Sequence, residues 1–195
     1  MDEGPLRSHY VYVIIMEYCS TGDLTDLIRD ECSLGEGLPQ PRLMKYLLQI
    51  GEAIRYIHAR EIIHRDIKSP NIFISENNEA KLGDFGLCIH GKTIVSKVRH
   101  SSAGVIGTNC YMAPELHKGL LFQKGKAADM WALGCVLLEM LMGTALWDIS
   151  EEFGIKSLED QNYTRDYIMS QYNTLKKRYD PKVISLAKKM LHPDP

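Results

Sequence analysis

One stretch of this chain concentrates side chains able to do chemistry on a phosphate. His64-Arg65-Asp66-Ile67-Lys68-Ser69-Pro70-Asn71 sets a carboxylate five positions before a carboxamide, and Asp84-Phe85-Gly86 brings a second carboxylate thirteen positions after Asn71. Asp66 is suited to accept and orient the proton of a hydroxyl nucleophile. Asn71 and Asp84 offer hard oxygen donors for Mg²⁺, an ion that takes few protein ligands and shares its other positions with phosphates and water. Lys68 can set a point charge beside a transferring phosphoryl group. Such a set suits phosphoryl transfer, in which positioning and electrostatics supply most of the rate. Asp84-Phe85-Gly86 alone reads equally well as a turn, and His64-Arg65-Asp66 alone is a weak signal. Their order and spacing, closed by Ala113-Pro114-Glu115, carry the reading.

These residues need elements to position them. Val11 to Met16 is a β-branched and aromatic run, which reads as a buried strand. A short helix starts near Asp23 and carries Leu24, Leu27 and Ile28. Glu31 to Pro41, with Gly35, Gly37, Pro39 and Pro41, reads as a loop. Leu43, Leu47, Ile50, Ile54 and Ile57 recur at helical spacing, so one face of that segment must pack on a core. Ile72 to Ile74 and Ala80 to Leu82 flank a polar turn, a hairpin pattern. Ala127 to Gly143 is apolar nearly all round, as in a helix buried on most sides. Its longest apolar stretch, Trp131 to Met142, is broken by Glu139 and falls short of the roughly 20 residues that span a bilayer. Asp160 to Arg178 reads as one or two helices, and Pro181 to Leu191 as a helix with proline in its first turn. The expected fold is mainly α with small β-hairpins.

Composition narrows the class. The chain has 195 residues, 45% of them hydrophobic and 25% charged, which suits one soluble domain with a sizeable core. A formal net charge of −2 offers no electrostatic basis for binding nucleic acid or an anionic membrane. Cys19, Cys32, Cys88, Cys110 and Cys135 are odd in number and widely spaced, with no C-x-x-C pair. They fit reduced thiols, and hence a cytoplasmic setting with nuclear or cytoskeletal sites also open, rather than a zinc site or a disulfide framework. The opening Met1-Asp2-Glu3-Gly4-Pro5 has no apolar core of a secretory signal.

The ordered motifs resemble the C-terminal lobe of a serine/threonine protein kinase, firmly over Tyr10 to Met142 and loosely beyond. Within that group the chain is most similar to the NIMA-related family. The similarity runs through His64 to Ser69 leading into Asn71-Ile72-Phe73, through Gly83 before Asp84, and through Met16-Glu17-Tyr18-Cys19. The resemblance implies a C-lobe over residues 20–195 and a remnant of N-lobe strand and hinge over residues 1–19. It also implies ATP and Mg²⁺ as cofactors and protein serines or threonines as acceptors. Asp66, Lys68 and Thr108 would be catalytic, and Asn71 and Asp84 would hold the metal. Met16 would be the gatekeeper of the adenine pocket, with Glu17 and Cys19 offering backbone groups to the adenine edge. Asp23 would reach the ribose, and Phe73 would form the floor beneath the base. From periodicity alone, Met16 and Phe73 read as plain core.

The same resemblance bears on specificity and control. Lys68 stands where tyrosine kinases carry an Arg/Ala pattern, and Thr108 corresponds to the threonine that bridges the catalytic Asp and Lys. Both imply serine or threonine as acceptor. Pro70 stands where strongly basophilic kinases carry an acid, so a demand for upstream arginines is not implied. Arg65 beside Asp66 implies control by a phosphate on the 32-residue segment from Asp84 to Glu115, placed there by an upstream kinase. Its acceptors would be among Thr93, Ser96, Ser101 and Ser102. The usual NIMA-related phosphosite falls on Gly104, which cannot be phosphorylated, leaving Ser101 or Ser102 to substitute. Asp129 resembles the buried Asp that hydrogen-bonds the backbone around His64 and Arg65.

The chain also departs from the family. The 195 residues contain no G-x-G-x-x-G and no Val-Ala-Ile-Lys-like stretch. The resemblance implies an Arg after an Asp-Pro as the partner of Glu115, and with the 195 residues ending at Asp194-Pro195 that pairing is expected to be missing. The expectation is a kinase fragment with the catalytic loop but no nucleotide clamp, inactive by itself, with Val11 to Met16 an orphaned strand. The alternative is a non-catalytic kinase-like interaction module. A small-molecule phosphotransferase would share the Asp-x-x-x-x-Asn spacing but leave Gly107-Thr108 and Ala113-Pro114-Glu115 unexplained.

Overall fold

A computed structural model describes residues 13–32, 36–90, 111–114, 125–146, 148, 170–171 and 173–192. In chain order its elements are α1 (Leu24–Glu31), α2 (Gln40–His58), β1 (Ile62–Ile63), a 3₁₀ turn (Ser69–Asn71), β2 (Ile72–Ile74), β3 (Ala80–Leu82), β4 (Ile89–His90), α3 (Gly125–Met142) and α4 (Pro181–Met190). The mainly helical architecture with small antiparallel strand pairs is the expected one.

Two of the helices start at a side-chain cap. Asp23 caps α1: its Oδ1 accepts from the amides of Thr25 at 2.8 Å and Asp26 at 3.0 Å, while Asp26 reaches back to the Asp23 amide. Asp180 caps α4 through the Lys182 amide, with Pro181 in the first turn and Lys188 and Lys189 at the carboxyl end. The α2 face of Leu43, Tyr46, Leu47, Ile50, Ile54 and Ile57 is buried, as its spacing requires. Burial of that face stabilises the fold by about 2 kcal/mol per large side chain.

The core centres on α3, whose apolar side chains from Trp131 to Met142 are all buried. α2 packs on one side of it and α4 on another. Gly37 lets the loop before α2 reach α3, because a Cβ there would lie 2.1 Å from the Met140 carbonyl oxygen. Leu38 then donates its amide to that same carbonyl at 2.8 Å.

The hairpin β2–β3 pairs Ile72 with Leu82, Phe73 with Lys81 and Ile74 with Ala80. A second pair, β1 with β4, joins Ile62 to His90 and Ile63 to Ile89. Periodicity could not reveal it, since two-residue strands carry no alternation. One expectation is overturned. Val13 to Met16 form no strand and lie exposed, so the run is not a buried strand and Met16 is not core. An apolar run becomes a strand only by pairing with another edge, and no strand among the described residues pairs with this one. Val11 and Val13's neighbour Tyr12 lie outside the described residues, as do most of Asp160 to Arg178 and Cys110.

Candidate active site

The loop between β1 and the 3₁₀ turn is held by a carboxylate from the core. Asp129 of α3 is 1% exposed. Its Oδ2 accepts from the His64 amide and its Oδ1 from the Arg65 amide, both at 2.9 Å. These bonds hold Arg65 at φ 72°, a left-handed conformation that a non-glycine residue adopts only when its surroundings impose it. His58, at the end of α2, adds a third contact to Asp129 Oδ2, at 2.7 Å. The expected role of Asp129 is thus realised, while the sequence carried no signal for His58.

Within the loop, three expected residues meet. Lys68 Nζ lies 2.8 Å from Asp66 Oδ2. Asn71 Nδ2 donates to the same oxygen at 3.0 Å and to the Asp66 backbone carbonyl at 2.7 Å. The Asp66 amide donates to His64 Nδ1 at 3.3 Å. A mostly buried carboxylate is therefore oriented by one cation and one carboxamide. Pro70, inside the 3₁₀ turn, fits a position that needs no amide donor.

Asp84 reaches this loop through its neighbours. The Gly83 amide donates to the Asn71 carbonyl at 2.9 Å, and the Gly83 carbonyl lies 3.0 Å from His64 Nε2. Glycine is required there because a Cβ would come within 2.5 Å of the Phe73 ring. Asp84 itself is left-handed at φ 55° and exposed, its Oδ1 accepting from the Gly86 amide at 3.1 Å. Phe85 packs edge-on against His64 at 4.9 Å between ring centroids. Asp66, Asn71 and Asp84 each carry hard oxygen donors and stand on adjoining backbone, and this is the donor type that Mg²⁺ takes.

The expected nucleotide-side residues are more dispersed. Asp23 is engaged as the α1 cap and pairs by backbone with Phe73. Phe73 is half-buried against Gly83. Cys19 is half-buried and Met16 is exposed. Glu17 uses its side chain, which sequence reasoning had not considered, to pair with Lys81 Nζ at 2.5 Å. Thr108, Ser101, Ser102, Thr93, Ser96, Gly104 and Glu115 lie outside the described residues.

Sequence reasoning also missed a buried polar group in the core. Glu139 is fully buried, and its Oε1 accepts from Tyr111 Oη at 2.6 Å and from the Leu146 amide at 2.9 Å. Its Oε2 has no partner among the described residues. Burial pushes the Glu139 carboxyl up to about 7, and burial together with that carboxylate pushes the Tyr111 phenol far up as well. A lone acid in an otherwise apolar helix was the available signal.

Residues 4–195 match the model of the protein kinase domain. The chain is 38% identical over 137 residues to mitogen-activated protein kinase kinase kinase 17 of Arabidopsis thaliana, covering 70% of this chain and 34% of that protein. It is 36% identical over 131 residues to serine/threonine-protein kinase Nek3 of Mus musculus, covering 67% and 24%. It is also 36% identical over 132 residues to serine/threonine-protein kinase PLK2 of Mus musculus, covering 67% and 18%. The chain thus spans about a third or less of the length of these curated relatives. Similarity to a NIMA-related protein is one of several at comparable identity.

Proposed function

Because this chain belongs to the protein kinase domain family, we propose that it carries the catalytic loop of a serine/threonine kinase that passes the terminal phosphate of ATP to protein hydroxyls. The observation that carries this reading is the Asp66 carboxylate, held by Lys68 and Asn71 beside the backbone that leads into Asp84. Asp66 would accept and orient the hydroxyl proton of the acceptor. Lys68 would keep a positive charge next to the incoming phosphoryl group. Asn71 and Asp84 would hold Mg²⁺, which when bound neutralises charge on the phosphates. Thr108 would align Asp66 with Lys68, and a phosphate on Ser101 or Ser102 would dock on Arg65. A cytoplasmic setting and a NIMA-related subfamily fit this reading.

The isolated 195-residue chain should transfer little phosphate, since it contains no glycine-rich phosphate loop and the expected strand-and-hinge remnant is exposed at Val13 to Met16 and at Tyr18. That same exposed apolar segment favours the second reading, a kinase-like interaction module. Titration with Mg²⁺ and ATP separates the two. A kinase lobe should bind Mg²⁺–ATP weakly, and Asp84→Ala should abolish the Mg²⁺ dependence. Binding indifferent to both Mg²⁺ and Asp84 would favour the module. A radiometric assay on a generic serine acceptor completes the test: turnover above an Asp66→Ala control would overturn the claim that the isolated chain is idle.

A further inference from the structure

Four buried polar side chains, distant in sequence, form one continuous line through the molecule. Thr25 Oγ1 lies 2.8 Å from Ser69 Oγ, Ser69 Oγ lies 3.2 Å from Tyr111 Oη, and Tyr111 Oη lies 2.6 Å from Glu139 Oε1. All four residues are at most 4% exposed. Each link joins a different part of the fold. Thr25 sits in the first turn of α1, two residues after Asp23, which the family resemblance assigns to the ribose. Ser69 lies between Lys68 and Asn71 in the catalytic loop. Tyr111 stands just before Ala113-Pro114-Glu115, and Glu139 is in the core helix α3.

Proton counting sets the direction of this line. A phenol has one proton, and Glu139 Oε1 receives it from Tyr111. The Tyr111 oxygen then accepts from Ser69, whose hydroxyl also faces the Glu139 carboxylate, so the Ser69 proton is directed to that end of the line. The Ser69 oxygen is then left to accept from Thr25. Every donor points toward Glu139, an arrangement in which successive hydroxyls polarise one another. This order is that of the ionised Glu139 carboxylate; a proton on Oε1 would instead donate to Tyr111 and reverse the line.

We infer that this hydroxyl chain positions the catalytic loop, making Ser69 and Tyr111 positioning residues that couple the nucleotide-side helix α1 to the acceptor-side segment at Tyr111. Its role in phosphate transfer rests on the function proposed above, whereas the coupling itself does not. The loop that carries Lys68 and Asn71 is clamped at Ser69 from two sides. Removing a hydroxyl at one end leaves a buried group unsatisfied and transmits the loss along the line.

The test uses Thr25→Val, which is isosteric but lacks the hydroxyl, Thr25→Ser, which restores it, and Tyr111→Phe. Hydrogen exchange of the Asn71 amide, which bonds the Lys68 carbonyl, is the local readout. Thr25→Val and Tyr111→Phe should each speed that exchange by roughly tenfold, and Thr25→Ser should stay within about twofold of the native rate. In a double-mutant cycle, the Thr25→Val and Tyr111→Phe effects on the unfolding constant should depart from additivity by roughly fivefold. Additive effects, an unmoved Asn71 amide, or no rescue by Thr25→Ser would overturn the coupling. Tyr111→Phe should also weaken Mg²⁺–ATP binding several-fold. An unchanged affinity alongside faster exchange would overturn the positioning role. If the native chain binds no Mg²⁺–ATP, the function proposed above fails instead, and the exchange and cycle still judge the chain of hydroxyls.

Discussion

Two apolar stretches of this molecule meet opposite environments. Val13, Ile14, Ile15, Met16 and Tyr18 are between 68% and 94% exposed, whereas the apolar side chains of α3 from Trp131 to Met142 are at most 7% exposed. Their compositions do not explain the difference. A helix satisfies its own backbone hydrogen bonds, so α3 can enter the core once α2, α4 and the loop at Leu38 surround it. An extended segment leaves its amides and carbonyls unpaired and becomes buried only beside another edge. Burial is thus a property of the neighbours that a segment finds, and the comparison can be broken or sharpened by mutation.

The largest effect should come from Asp129→Ala in α3. It leaves the His64 and Arg65 amides and the His58 ring without their acceptor, and should destabilise the fold by about 4 kcal/mol in urea unfolding. A loss under about 1 kcal/mol would mean that the loop holds itself. Leu137→Ala, at a fully buried position of the same helix, should cost about 3 kcal/mol.

Glu139 sharpens the contrast through pH. Its folded carboxyl is raised to about 7 by burial, above the unfolded value, so the folded state prefers the protonated form. Below about pH 4.5 both states are protonated and burial carries no ionic penalty. As pH rises toward about 7 the unfolded state ionises first and stability should fall, by at most about 3 kcal/mol. Glu139→Gln should flatten that slope in urea titrations at stepped pH, and an unchanged slope would assign it to other groups. The smallest effect should be that of Ile15→Ser, under about 0.5 kcal/mol, because the side chain is almost wholly exposed. A loss near 2 kcal/mol would show that the segment packs in solution and would erase the comparison.

Much of the fold was legible because its signals are local. The three- and four-residue spacing of α2, the helix start near Asp23, the hairpin at Ile72 to Leu82 and the Asp-x-x-x-x-Asn order each arise within a few residues of chain. The β1–β4 pair was illegible because two-residue strands have no period. Met16 was misread as core because β-branched composition reports a preference for pairing and says nothing of the partner.

The amino-acid order by itself determined which side chains could do phosphate chemistry and which helices would present an apolar face, since both depend on residue type and short spacing. Tertiary structure alone decided that Asp129 would meet His58 across 71 positions and that Glu139 would end a line of hydroxyls begun at Thr25. Such contacts join residues that the chain keeps far apart, and they form only when helices packed around α3 exclude water and leave each buried polar atom dependent on whichever partner the packing brings to it.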